Sequence, residues 1–381
     1  MRKLSIALAC LSHTIVDGSQ NILPVVLALL VDRLHLSYGQ VVMAAALLNV
    51  SSSVIQPGFG WISDRCPTRW FMSGGIAWTG LFMSVVGLVP SYPMLLLVLV
   101  LTGLGTAAFH PIASIAVTHA SGDRRGFGMS FFSAGGNLGF AIGPVVAAWL
   151  MTWLGLQGTV LVIIPGLLMA AAMYVWRGEF ASPAPVHGAH EPQARAPIPW
   201  GRLSRLCAII TLRSWGYSGL VVFIPLLLHE QGVSLSLAGR ALFVFLFFGA
   251  LGGMLGGHLS DRIGRQQVIV ASLVSFPFFM AIAMLLSGPF SWLFLAIAGI
   301  SLLASFSVTV VFAQELLPHH LGVASGLTLG LSFGAGGVGV GLSGLLADLF
   351  GLQTSVWLLV LLPGIAGLIA LTLSPPRDRR A

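Results

Sequence analysis

Four kinds of residue in this chain have chemistry that packing alone would not call for. His13, Asp17, Gln20, Asn21 and Pro24 recur at steps of three and four inside an apolar run, which puts them on one face of a helix. A buried carboxylate one turn from an imidazole can load and unload a proton, or it can serve as a hydrogen-bond partner between helices. Arg213 stands about ten residues into another apolar run, with Tyr217 one turn further along. Its planar fork suits a carboxylate or phosphonate, with Asp17 as its partner while the cavity is empty, or else a permanent structural ion pair. His110 precedes Pro111 inside a third run, and the proline frees a backbone carbonyl and permits a kink. The fourth kind is a charged stretch that occurs twice. Gly60-Trp-Ile-Ser-Asp64-Arg65-Cys-Pro-Thr-Arg69 returns as Gly257-His-Leu-Ser-Asp261-Arg262-Ile-Gly-Arg265, with Pro67 where the second copy has Gly264. An Asp with flanking Arg residues at helix ends can form a breakable latch, and the Gly lets two helices approach closely.

The elements that must carry these residues are membrane spans. Hydrophobic residues make up 56% of the 381 and charged residues only 8%, with a mean hydropathy of +0.95, against about 25% charged in a soluble domain. Twelve apolar runs are long enough to cross a bilayer: 4–30, 37–62, 70–90, 93–119, 126–151, 156–176, 203–229, 236–259, 267–287, 290–316, 322–347 and 352–374. The first, with polar His13 and Asp17 inside it, reads as a span and not as a removable signal peptide. Between the sixth and seventh runs, residues 177–202 are rich in Pro, Ala and His without apolar periodicity, the composition of an extended linker. The chain therefore divides into six-helix bundles at 1–176 and 203–381.

Charge sets the orientation. With a cytoplasmic N-terminus, fifteen Lys and Arg residues fall in cytoplasmic segments, only Arg33 and Arg240 fall outside, and Arg213 stays in the membrane. Both termini, the linker and both copies of the charged stretch then face the cytoplasm. The net charge of +7 is explained by this topology, without a nucleic-acid partner. Cys10, Cys66 and Cys207 have no metal or redox spacing, the ten histidines show no metal-site set, and no Walker-type loop is present. No cofactor, metal or enzymatic activity is expected, and a single chain carries a whole pathway, so a monomer is expected.

The halves repeat beyond the charged stretch. Gly136, Gly139 and Gly143 line up with Gly334, Gly337 and Gly341, and Pro24-Val-Val-Leu resembles Pro225-Leu-Leu-Leu. Two homologous six-helix halves joined by a linker resemble the major facilitator superfamily. Ser12-His13…Asp17, Phe109-His110-Pro111, Gly135-Gly136-Asn137 and Ala313-Gln-Glu315-Leu-Leu-Pro318 resemble its fosmidomycin-resistance branch. That branch often carries a Glu after the His-Pro of helix 4, and here the place is Ile112. Gly135, Gly139, Gly143 and Pro144 resemble the helix 5 motif of the superfamily's antiporters, with Ala147 and Ala148 where two glycines are usual.

The resemblance implies a secondary active transporter of the bacterial inner membrane, working by alternating access on a small molecule. Proton-driven export of a small polar anion is the expected mode, with uptake by proton symport and a non-transporting sensor as alternatives. The expected proton-coupling residues are Asp17, His13 and Glu315, the last near the cytoplasmic end of helix 10 and open to a gating role or to pairing with a cytoplasmic Arg. The expected substrate residues are Arg213, His110, Gln20, Asn21, Asn137 and Tyr217. Gly60, Asp64, Arg65, Arg69, Gly257, Asp261, Arg262 and Arg265 form the expected latch.

Overall fold

The computed structural model describes residues 1–65, 69–178, 198–233 and 235–373. The side chain of Arg69, Pro67 and the greater part of the linker lie outside the described residues. Among those described, fifteen α-helices and two short 3-10 segments account for the regular structure. The apolar composition dictates this outcome: in lipid a backbone must satisfy its own polar groups, and a helix does so within one segment.

The first half runs α1 (Lys3–Gln20), α2 (Leu23–Leu34), α3 (Tyr38–Val54), α4 (Gln56–Ser63), α5 (Arg69–Ser84), α6 (Tyr92–Ser121), α7 (Arg125–Leu154) and α8 (Ile163–Val175). The second runs α9 (Trp200–Glu230), α10 (Leu235–Ile263), α11 (Arg265–Leu285), α12 (Pro289–Ala304), α13 (Phe306–Leu316), α14 (Leu321–Phe350) and α15 (Leu352–Ala370).

Among the described residues, ten stretches are long and apolar enough to cross a membrane. Two of the expected runs, 126–151 and 156–176, merge into one 51-residue stretch, Arg125–Val175. The expected run 37–62 is interrupted at Ile55, leaving α3 and α4 individually too short to qualify. Breaks occur where proline removes a helix donor: Pro24 opens α2 just after the Asn21 cap of α1, and Pro57 opens α4. Pro111 is instead absorbed inside α6.

The chain forms two compact units whose borders are not those of the sequence halves. One holds 1–122, 131–195 and 319–330, and the other holds 123–130, 196–318 and 331–381. Thus the first turns of α7 belong with the second half, and the first turns of α14 belong with the first. In the first unit α5 packs on α6 and α8, and α1 and α3 pack on α6. An aliphatic cluster of Ile22, Val26, Leu30, Leu48, Met83, Leu95 and Leu99 ties α2 and α3 to α5 and α6. In the second unit α10 packs on α12, α9 on α15, and α11 on both α12 and α15. α6 and the α12–α13 pair are the most enclosed, with 72% of their most apolar window buried against 33% for Arg125–Val175. They carry His110 and Thr309, so the polar groups of α6 and α13 sit where protein surrounds them.

Candidate functional site

Three sites result, one buried in each unit and one repeated at helix ends. In the first unit, His13 and Asp17 project from α1 one turn apart, and His110 projects from α6. All three are buried, at 5%, 2% and 2% exposure. Asp17 Oδ1 lies 3.1 Å from His110 Nε2, Asp17 Oδ2 lies 3.1 Å from His13 Nε2, and the two Nε2 atoms are 3.1 Å apart. Each imidazole is anchored through its other nitrogen: His13 Nδ1 is 2.7 Å from the carbonyl of Phe132 and His110 Nδ1 is 3.0 Å from that of Thr106. Phe132 also stacks on the His13 ring at 4.1 Å. The sequence read the histidines as scattered, and the α1–α6 packing brings two of them together. Their ligand atoms, with that of Asp17, all lie within 4.8 Å of one another, so this group can share a cation.

α7 makes room for this cage. A Cβ on Gly136 would stand 2.6 Å from the His13 ring and 2.8 Å from Asp17 Oδ2. The Gly135, Gly139 and Gly143 face rests on the backbone of Cys10, Thr14 and Gly18, a matching four-residue step along α1. The repeat does not preserve this use. Positions Gly337 and Gly341 of α14 meet open space, and Gly336 and Gly339 are the glycines that press on Ser218 and Trp215 of α9. Sequence spacing alone placed the repeat one or two positions away from the packing face.

The remaining polar residues of α1 diverge. Gln20 reaches Ser52 on α3 at 3.4 Å, and Asn21 donates to the carbonyl of Phe140 on α7 at 2.8 Å. Asn137 is exposed on α7. None of these three contacts the cage.

In the second unit, Arg213 of α9 is 1% exposed. Its guanidinium donates to Thr309 Oγ1 at 3.1 Å, Ser332 Oγ at 3.0 Å and Ser214 Oγ at 3.3 Å, and lies 4.8 Å above the Phe306 ring. Its recorded partners among the described residues are neutral hydroxyls and an aromatic face, with no carboxylate among them. Tyr217 is half-buried and stacks on Phe245.

The repeated stretch forms the third site. Asp64 accepts from the backbone N–H groups of Gly322 (2.7 Å) and Val323 (3.1 Å), at the start of α14. Asp261 accepts from those of Gly126 and Phe127, each at 2.9 Å, at the start of α7. A carboxylate suits a helix N-terminus because four N–H groups there lack helical acceptors and the helix dipole is positive. The glycines are explained by the same crossings. A Cβ on Gly60 would fall on the carbonyl of Gly322, and one on Gly257 would fall on that of Gly126. The copies differ in their cations. Arg265 binds Asp261 at 2.5 Å and Glu315 at 3.2 Å, whereas Arg65 lies over Trp61 at 3.9 Å. Glu315, expected as a proton-coupling residue, a gate or the partner of an Arg, is thus paired with Arg265 in the network of the repeated stretch. Gly264 has φ +101°, which a proline could not adopt.

Burial pushes the Asp64 carboxyl above its ordinary range, against the opposing pull of the two backbone N–H groups, His320 and Arg65.

Comparison with known proteins agrees with this architecture. The family profile described as Major Facilitator Superfamily matches residues 9–338 and 206–381. The chain is 35% identical to an uncharacterized MFS-type transporter, YfnC, of Bacillus subtilis (strain 168), over 97% of this chain and 91% of that one. It is 30% identical to the fosmidomycin resistance protein of Escherichia coli (strain K12), over 97% and 92%. Among solved structures, the E. coli fucose:proton symporter FucP superposes with a TM-score of 0.72 at 14% identity, over 98% of this chain and 99% of that one.

Proposed function

The chain belongs to the major facilitator superfamily, and from that premise we propose that it is a proton-coupled antiporter exporting a small polar anion by alternating access. It is a multi-pass membrane carrier and not an enzyme. The observation that carries the substrate class is Arg213, a buried guanidinium whose recorded partners are neutral hydroxyls. A buried charge is expensive unless paired, and a phosphonate or carboxylate would supply the missing charge in bidentate form. The relative named as a fosmidomycin resistance protein supports export and a phosphonate-like compound.

The proton is taken at the site built around Asp17. A proton gradient supplies about 2.3 kcal/mol per charge for each 100 mV, enough to drive an anion outward when proton and substrate bind alternately. Asp64, capping the start of α14, and Asp261, capping the start of α7, act as the latches of one access state: each couples a charged stretch to the first turn of a helix from the opposite sequence half. Asn137, Gln20, Asn21 and Tyr217 complete the substrate path. The protein works as a monomer in the bacterial inner membrane with both termini cytoplasmic.

The test uses inside-out membrane vesicles with a respiration-driven proton gradient and fosmidomycin added outside. Antiport predicts partial collapse of the gradient with the native chain, and none with Arg213→Gln or Asp17→Asn. Collapse that requires fosmidomycin inside the vesicles would identify symport and reverse the assigned direction. No response to fosmidomycin from either side would remove this substrate class.

A further inference from the structure

His110 meets both His13 and Asp17, which changes where the proton can reside. We propose that the coupling proton is carried by the paired imidazoles of His13 and His110, with Asp17 remaining a carboxylate throughout as their fixed counter-ion. This rests on the proton-coupled reading above.

The argument is a count of hydrogens. A backbone carbonyl only accepts, so His13 Nδ1, 2.7 Å from the Phe132 carbonyl, carries a hydrogen, and so does His110 Nδ1, 3.0 Å from that of Thr106. In the neutral rings both Nε2 atoms are therefore bare lone pairs. Those two atoms are 3.1 Å apart, and each lies 3.1 Å from one oxygen of Asp17. Without a further proton, four lone-pair atoms would face one another across three short contacts in a site closed to water. One proton on His110 Nε2 lets that atom donate toward both His13 Nε2 and Asp17 Oδ1. A second on His13 Nε2 serves Asp17 Oδ2, a buried oxygen that has no hydrogen-bond donor otherwise.

Placing the proton on Asp17 satisfies less. A carboxyl hydrogen serves a single Nε2 and leaves the contact between the two nitrogens unbridged. The cage therefore alternates between one proton with net charge zero and two protons with net charge +1. The second proton is the one exchanged: with it each Nε2 donates to its own Asp17 oxygen and the contact between the two nitrogens opens, and on its loss the single remaining proton bridges them again.

The neighbouring elements add no competing charge among the described residues. α6 contributes Thr106 and Phe109, α7 contributes Phe132 and Gly136, and the Cys10 thiol of α1 lies against Gly135. All three separations of 3.1 Å fall within the range of N–H hydrogen bonds, which favours protons over a metal ion as the shared cation.

The experiment needs no substrate, so it fails or succeeds independently of the vesicle assay. The purified full-length chain, treated with a chelator and checked for bound metal, is examined by infrared difference spectroscopy between alkaline and acidic pH. Native protein is compared with His13→Gln, His110→Gln and Asp17→Asn. Glutamine puts an amide near the place of Nε2 but takes no proton. The expected result is the loss of at least one titrating imidazole from each glutamine variant, and no protonated-carboxyl band that Asp17→Asn removes. Such a band would overturn the proposal, as would one equivalent of metal retained per native chain and lost in Asp17→Asn. Should the variants fail to fold, 15N-histidine NMR of the native protein decides. Two buried rings are expected to carry hydrogen on Nδ1 alone at alkaline pH, and buried rings with hydrogen on Nε2 alone would overturn the proposal.

Discussion

Asp64 accepts a 2.7 Å hydrogen bond from the backbone N–H of Gly322, 258 positions along the chain. Asp261 makes the corresponding bond to Gly126 in the opposite sense along the sequence. Each carboxylate caps the start of a helix that belongs to the other sequence half, so the two contacts together tie the halves reciprocally.

Asp64→Ala removes the acceptor for two helix N–H groups. The expected cost is about 1 kcal/mol, roughly a fivefold shift away from the latched state. Cysteine accessibility at positions facing the two sides of the membrane would report that shift.

Asp64 also carries a pH dependence. Its carboxyl sits above the ordinary range, chiefly through burial, so the folded chain holds this proton more tightly than the unfolded chain. Stability is then greatest below the unfolded carboxylate value and is lost as pH rises through the raised folded value. Thermal melting of the native chain should decline across that window more than melting of Asp64→Asn, which has no carboxyl to ionise. A steeper decline in the variant would contradict the assignment.

The latch glycines can be tested against a neighbour in the same helix. A Cβ on Gly60 meets the carbonyl of Gly322, whereas one on Gly58 has nothing within 4 Å. Gly60→Ala should cost about 1–3 kcal/mol through overpacking against backbone that cannot swing away, and transport should fall with it. Gly58→Ala should melt within about 1 kcal/mol of the native chain. Equal melting of both variants would mean that the crossing is loose.

The sequence exposed the membrane class and the duplicated charged stretch because both depend on local composition and spacing. The family resemblance followed from motifs such as Phe109-His110-Pro111. Two features were out of reach. The meeting of His110 with Asp17 depends on the rotation of α6 against α1, which no periodicity encodes. The partner of Arg265 was open in the same way: Glu315 was visible as an acid near a helix end, but only packing of α13 beside the α10–α11 turn makes it an ion-pair partner. One signal was available in the sequence: Gly136 faces the same side as the helix 5 packing glycines plus a small offset, where a side chain has been excluded.

Gly136→Ala is the direct test of how tightly the cage is built. The added methyl would stand 2.6 Å from the His13 ring and 2.8 Å from Asp17 Oδ2, closer than van der Waals contact allows. The His13 ring is held by Phe132, whose ring stacks on it and whose carbonyl binds its Nδ1, so Asp17 and His13 must part. Proton coupling should weaken by about tenfold or more while Arg213, in the other unit, keeps its hydroxyl partners. Vesicle assays would then show fosmidomycin dissipating the proton gradient far less, whereas Gly337→Ala, at the α14 position aligned with Gly139 and with open space around it, should leave the response unchanged.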